Sequence, residues 1–268
     1  LIEIKFAGGA AWRVAAGSQA RRRRTTRRLD EGATKNMKTL TLETTVGELV
    51  RSAPIRARVF EKLGVDYCCG GKKPLGEVCE AKGLDGATVI ALLNAIDGEA
   101  SAGLVDADAM GLAKLCDHIE VAHHDYLREE LPRLDFMTRK VAAVHGGEEP
   151  RLVEIRDVFE PFARELMAHM ADEEASAFPR IRRLDATGGC AAEREELKTV
   201  IRQLEQEHDR AGDALARFRS LTDGFTPPEW ACNTYRALFD ALGRLEANMH
   251  QHVHKENNVL FPRALAAA

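Results

Sequence analysis

The chain is predicted to be all-α, with a small helical N-terminal unit followed by an up-down-up-down four-helix bundle. Three observations predict this. Four long stretches carry helical periodicity, at roughly 107–145, 150–184, 191–221 and 228–265. The breaks between them are short, at Gly146-Gly147, Gly188-Gly189 and Gly224-Phe225-Thr226-Pro227-Pro228, and short connections make long helices antiparallel neighbours. A twelve-residue pattern also occurs twice, as His169-x-x-x-Glu173-x-x-x-x-Phe178-Pro179-Arg180 and as His252-x-x-x-Glu256-x-x-x-x-Phe261-Pro262-Arg263. Each copy has a His-Asp pair upstream: His124-Asp125 lies 45 residues before His169, and His208-Asp209 lies 44 before His252. That near-constant offset is the mark of a duplicated helical hairpin.

Residues 1–37 form a basic extension. The first 36 hold nine Lys/Arg against three Asp/Glu, with Arg21-Arg22-Arg23-Arg24 at the centre. Leu29-Asp30-Glu31-Gly32 is too polar for the apolar part of an export signal. Met37-Lys38-Thr39-Leu40 reads as an ordinary start, so the segment before it reads as upstream sequence and is expected to be disordered.

Residues 38–97 read as the small helical unit. Thr45-Val46-Gly47-Glu48 is a capping box opening a short helix. Pro54 suits the first turn of a second helix, which runs through Val59, Phe60 and Leu63 and stops at Gly64. A turn rich in glycine and lysine follows, Asp66-Tyr67-Cys68-Cys69-Gly70-Gly71-Lys72-Lys73-Pro74. A third helix reaches Gly83, and a fourth carries Val89, Leu92, Leu93 and Ile96 on one face. Residues 98–106 read as a linker, and 107–266 as the bundle. Pro132 and Pro161 are expected to kink or locally unwind its first two helices, and the two Phe-Pro pairs to disturb the ends of the second and fourth.

A His and a Glu four residues apart project from one helix face. Two such faces plus two single histidines supply four imidazoles and two carboxylates: His124, His169, Glu173, His208, His252 and Glu256. That set can hold two metal ions, with each carboxylate free to bridge them. Imidazole suits iron, zinc, copper and nickel, whereas bridging carboxylates favour a harder pair such as iron or manganese. A majority of neutral donors favours ferrous states, and an open ferrous position takes dioxygen or nitric oxide. A lone His-x-x-x-Glu is ordinarily an exposed helix pair, so the weight lies in the two copies standing in register. His124 is preferred over His123 because Asp125 follows it as Asp209 follows His208. His118, His145, His250 and His254 have no counterparts in the repeat and are read as non-ligands. Asp125 and Asp209 are read equally as acceptors behind the ligands or as solvated charges. Glu165 and Glu207 are read as a solvated face, with a path for metal or protons as the alternative.

Cys68 and Cys69 are adjacent, and a disulfide between neighbours is strained. Lys72 and Lys73 and an exposed loop would favour thiolate, so the pair is read as redox-active or metal-passing. Cys79, Cys116, Cys190 and Cys232 are read as helical core or bystander residues. Six cysteines without a disulfide framework indicate a reducing compartment. No apolar run approaches the roughly 20 residues that span a bilayer. Residues 37–268 carry 29 Lys/Arg against 39 Asp/Glu, so the body is acidic, which suits cations and argues against nucleic acid.

Asp66-Tyr67-Cys68-Cys69-Gly70-Gly71 resembles the signature of the ScdA-type N-terminal domain. The His-Asp pairs, His-x-x-x-Glu, Glu207-His208-Asp209 and Glu256-Asn257-Asn258-Val259-Leu260-Phe261-Pro262-Arg263 resemble the hemerythrin-like domain of the RIC (repair of iron centres) proteins, the iron–sulfur cluster repair di-iron proteins. The resemblance covers about residues 40–266. It implies a cytoplasmic bacterial protein of nitrosative and oxidative stress. Its cofactor would be two non-haem irons, bridged by oxo or hydroxo and carboxylate groups. The six residues named above would be the ligands, with both glutamates bridging, and Cys68 and Cys69 match the family's cysteine pair. Where family members often place a second His after the first ligand, this chain has Tyr126-Leu127. The partners implied are damaged iron–sulfur proteins, with nitric oxide or dioxygen as small ligands. The alternatives are a hemerythrin-like carrier or sensor of those gases, or a nitric oxide reductase. The limited core of the N-terminal unit also leaves room for a homodimer.

Overall fold

The computed structural model describes residues 2–5, 11–14, 40–97, 105–188 and 190–266. The chain divides into two compact units, Leu1–Thr39 and Leu40–Ala268. In the first, β1 (Ile2–Lys5) pairs antiparallel with β2 (Ala11–Val14), with Ile2 opposite Val14 and Ile4 opposite Trp12. These eight residues depart from the expected disorder. β-branched and aromatic residues at alternate positions, Ile2, Ile4, Trp12 and Val14, suit extended pairing. The disorder expected of the rest of residues 1–37 lies outside the described residues.

Among the described residues of the second unit, the regular elements are all helices, with one isolated bridge between Thr45 and Pro74. The N-terminal part of this unit holds α1 (Val46–Ser52), α2 (Ala57–Leu63), α3 (Leu75–Lys82) and α4 (Gly86–Ile96). Thr45 caps α1, its hydroxyl accepting from the Glu48 N–H at 3.3 Å. Pro54 opens a 3-10 turn that leads into α2. Gly64 and Gly83 end α2 and α3 in the left-handed region, at φ 62° and 64°, where a side chain would be strained. Val46, Leu49, Phe60, Tyr67, Leu75 and Leu93 form the heart of one apolar core.

The four bundle rods are the expected ones, but three of them are composite. Rod one is α5 (Leu112–Ile119), a π turn at Glu120–His124, and α6 (Asp125–His145). Rod two is α7 (Arg151–Asp172), a π turn at Glu173–Ala177, and α8 (Phe178–Thr187). Rod three is the unbroken α9 (Ala191–Leu221). Rod four is α10 (Asn233–Lys255), a π turn at Glu256–Leu260, and α11 (Phe261–Ala266). Phe178 and Phe261 do not end their helices. Each amide reaches back five residues, to the Glu173 and Glu256 carbonyls, and the next residue is a proline with no N–H to place. The π turn thus absorbs the proline and the rod continues. Pro132 and Pro161 lie inside uninterrupted helical segments, so neither unwinds its helix. Cys190 and Cys232 are not helical but sit at the exposed N-caps of α9 and α10, whereas Cys79 and Cys116 are buried as expected.

The bundle has two apolar cores with polar residues between them. One is built on Leu131, Phe159, Phe218, Tyr235 and Leu242. The other is built on Leu115, Phe178, Ile181, Leu197 and Phe261. The N-terminal helices dock on the flank of this waist. Lys72 pairs with Glu205 at 2.9 Å, Arg51 with Asp108 at 2.9 Å, and His254 Nδ1 lies 3.3 Å from the Tyr67 carbonyl.

Candidate metal centre

The bundle brings all six expected ligand residues to its waist, each buried. They fall into two clusters, His124, Glu173, His252 and Glu256, and His169, Glu173, His208 and Glu256. Within each, one donor atom per residue lies within 4.8 Å of all the others. Both glutamates belong to both clusters. The Nε2 atoms of His169 and His208 stand 2.9 Å apart, and those of His124 and His252 3.1 Å apart. The two imidazole pairs therefore converge on two points, with the carboxylates between them.

Three of the four rings are held from behind. His124 Nδ1 lies 2.7 Å from Glu174 Oε1, His169 Nδ1 2.7 Å from Glu207 Oε2, and His208 Nδ1 2.8 Å from Asn257 Oδ1. With each Nδ1–H donating to these acceptors, Nε2 keeps its lone pair for a cation. Glu174 and Asn257 are the residues directly after Glu173 and Glu256, so the repeat extends to its supporting groups. Neither residue stands out as a supporting group from its position in the repeat alone. The π turns decide their direction, because a wider turn re-aims the side chain that follows. Glu207 is not simply a solvated residue, since it anchors His169. Glu165 and Asp209 are exposed, and Asp125 pairs with Arg128 at 3.3 Å.

The phenylalanines of the repeat also have a place. Phe178 stacks on His124 with planes 16° apart, and Phe261 on His208 with planes 3° apart. His123 lies outside both clusters. It stacks on His252, its Nδ1–H donates to Asn248 Oδ1 at 3.2 Å, and its Nε2 accepts from the Lys255 ammonium at 2.6 Å. Burial pushes its imidazole down to about 2 and the Lys255 ammonium down to about 8. His250 and His254 pack edge-on to the Tyr67 ring, which gives them a docking role instead.

The electrostatics are those of a site prepared for positive charge. Burial alone would lower the His169 imidazole, but Glu173, Glu256 and Glu207 outweigh it and hold it up at about 10. Burial likewise would raise Glu256, yet His252 and His208 keep its carboxyl well below the usual range. Both Glu173 oxygens and Glu256 Oε2 are buried without a hydrogen-bond partner. Buried carboxylate oxygens in this state are costly unless a cation completes them.

The cysteine loop reaches this centre. Cys69 Sγ donates to the His208 carbonyl at 3.3 Å, and the Asn258 amide donates to the Cys68 carbonyl at 3.0 Å. Gly47 and Gly71 make room for Asn258: a Cβ at either would stand 2.5 Å from its Oδ1. Glu256, Asn257 and Asn258 are thus consecutive residues of one π turn that meet the clusters, His208 and the cysteine loop in order. The expected thiolate is not favoured at Cys68. The Cys69 thiol and burial push its thiol well up, and Lys72 is taken by Glu205.

Residues 117–264 match the Hemerythrin HHE cation binding domain, and residues 42–97 match the ScdA_N model, a Domain of Unknown function (DUF542). The iron-sulfur cluster repair protein ScdA of Staphylococcus haemolyticus (strain JCSC1435) is 32% identical over 222 residues, which is 83% of this chain and 98% of that protein. The iron-sulfur cluster repair protein YtfE of Enterobacter sp. (strain 638) is 36% identical over 223 residues, 82% of this chain and 96% of that protein. Its namesake in Escherichia coli O17:K52:H18 (strain UMN026 / ExPEC) is 34% identical over the same span. The chain belongs to this ScdA/YtfE family.

A non-haem di-iron centre is the cofactor of such a hemerythrin-type bundle. The residues present fit it: four imidazoles and two shared carboxylates are an iron donor set, and the unpartnered Glu173 and Glu256 oxygens belong to both clusters. Beside His169 and His208 lies a cavity of about 480 Å³ whose wall includes Glu165, Asp172 and Glu207. Among the described residues, no helix is long and apolar enough to cross a membrane.

Proposed function

We propose that this protein restores damaged iron–sulfur clusters by supplying iron from the paired His/Glu clusters. His124, His169, Glu173, His208, His252 and Glu256 would hold two irons, with Glu173 and Glu256 each shared by both. Bound there, the iron pair supplies an exchangeable store of iron and an open ferrous position for nitric oxide or dioxygen. The observation that carries the reading is the shared pair of buried carboxylates, each belonging to both clusters. The relatives named for cluster repair support the same reading.

The chain's own residues set how iron is held. Glu174, Glu207 and Asn257 fix three imidazoles, whereas His252 Nδ1 has no hydrogen-bond partner. Glu207 stands both behind His169 and in the wall of the cavity, so it can draw a departing cation outward. Cys68 and Cys69 would take part in iron transfer or redox exchange, supported by the contact of Cys69 with the His208 backbone. The reading places the protein in the cytoplasm. A homodimer belongs to the same reading, on the limited core of the N-terminal unit.

A gas carrier or sensor needs no cysteine loop, and the tie between that loop and His208 favours the repair reading over it. The test is transfer. Iron-loaded protein is incubated with an apo iron–sulfur protein and sulfide, and cluster formation is followed by absorbance and by residual iron. Transfer that requires Cys68 and Cys69 supports repair. Iron that stays bound while nitric oxide or dioxygen exchanges reversibly supports the carrier. Steady nitrous oxide production with a reductant supports the reductase.

A further inference from the structure

We infer that Asp66, Cys68 and Cys69 form a separate site for one divalent cation of intermediate softness, iron(II) or zinc. One donor atom from each lies within 4.8 Å of the other two. The two Sγ atoms are 4.0 Å apart, and Cys68 Sγ is 3.0 Å from Asp66 Oδ1. A tetrahedral ion with metal–sulfur bonds of about 2.3 Å and a metal–oxygen bond of about 2.0 Å sets those separations at roughly 3.8 Å and 3.5 Å. These two separations therefore already stand within about half an ångström of the spacing required, and the third, Cys69 Sγ to the Asp66 carboxylate, lies within 4.8 Å.

The loop is held in this shape by contacts that leave the donors usable. Asp66 Oδ1 accepts the Cys68 N–H at 2.9 Å, and Oδ2 accepts the Gly70 N–H at 2.8 Å. Each carboxylate oxygen keeps further lone-pair capacity. Asn258 fixes the Cys68 carbonyl and fills the space that Gly47 and Gly71 leave open. Adjacent cysteines make a strained disulfide, so the reduced, metal-binding form is the unstrained use of the pair.

The surroundings suit a cation. A cavity of about 400 Å³ opens on the three residues, and its wall includes Asp209, Asp213 and Glu246. Lys73 and Arg219 are there too, and Arg219 is paired with Glu246. Two sulfurs and one oxygen select borderline ions over magnesium or calcium. On binding, both thiols lose their protons to solvent. The resulting two thiolates and one carboxylate are offset by the ion and by Lys73. The site goes beyond the repair reading and does not depend on it, because its test counts metal and reads no transfer.

The full chain, reduced and under anaerobic conditions, is titrated with Co(II) and followed by metal analysis and near-ultraviolet absorbance. A third equivalent should bind beyond the pair taken by the His/Glu clusters, with a thiolate-to-cobalt charge-transfer band. Cys69→Ser should lose that equivalent and the band while keeping the other two, which also shows that the bundle is folded. Asp66→Asn should keep the loop and weaken the third equivalent by on the order of tenfold or more. Saturation at two equivalents would overturn the proposal. So would a band that survives Cys69→Ser, which would assign it to another thiol such as Cys232 beside His145.

Discussion

The ring of Phe178 lies nearly parallel to the imidazole of His124, 5.7 Å away, while His252, of the same cluster, meets that imidazole edge-on. Phe261 stacks in the same way on His208. The phenylalanine of the repeat is therefore a support for the histidine of its own half. Phe178→Ala should cost about 3–5 kcal/mol, the usual loss for a buried aromatic, and should also release His124. Urea unfolding together with metal content checks both parts. A loss under about 1 kcal/mol would show that the ring is not packed as described.

Glu173 and Glu256 each serve both clusters, so either alone should matter to both metals. Glu173→Ala or Glu256→Ala should lower metal content by more than one ion's share, and the double variant should bind almost none. Metal analysis and the near-ultraviolet absorption of freshly purified protein measure this. Loss of a single ion in each variant would mean that the carboxylates are not shared.

The groups behind the histidines should separate cleanly from their exposed neighbours. Asn257→Ala and Glu207→Ala should weaken metal binding by about 10–100-fold, because each frees an Nδ1 that now has a fixed partner. Glu165→Ala and Asp125→Ala should leave affinity unchanged. A competition titration with a chelator gives the four constants. Equal effects across the set would reduce the supporting contacts to general surface charge.

Gly71→Ala should undock the cysteine loop, since the added Cβ would meet Asn258 Oδ1 at 2.5 Å. Asn258→Ala should restore room in that background but not the hydrogen bond to Cys68. Alkylation of Cys69 should therefore be faster in Gly71→Ala than in the parent protein, and metal should be retained. Unchanged alkylation would place the latch elsewhere.

The outlying thiols should respond oppositely to pH. Burial pushes the Cys116 thiol up to about 12, whereas the Tyr235 backbone N–H and then His145 lower that of Cys232. Cys232 should be alkylated first near neutral pH, and Cys116 only on unfolding. In the unfolded chain Cys116 ionises near its ordinary 9.0, well before the folded one. Rising pH between those values thus favours the unfolded state, and Cys116→Ala should remove that share of alkaline destabilisation. Urea midpoints across this range, for parent and variant, measure it.

The all-α class, the four rods, their breaks and the six residues that gather at the waist are all legible in the chain's local patterns. They are so because helical period and a duplicated motif are local, and residues four apart share a helix face whatever packs against it. The chain also contains the reason for the rods' continuity, in a phenylalanine and proline set five and six residues after each glutamate, but helical periodicity alone does not reveal a π turn. That His124 faces the cluster while His123 stacks on His252 is settled by packing, because adjacent residues differ by about 100° around the helix and a wider turn resets that phase. Packing alone paired Glu174, Glu207 and Asn257 with their imidazoles, and laid Cys69 against the His208 backbone, since those contacts join segments up to 139 residues apart. Such pairings depend on how rods pack, and no local pattern encodes them.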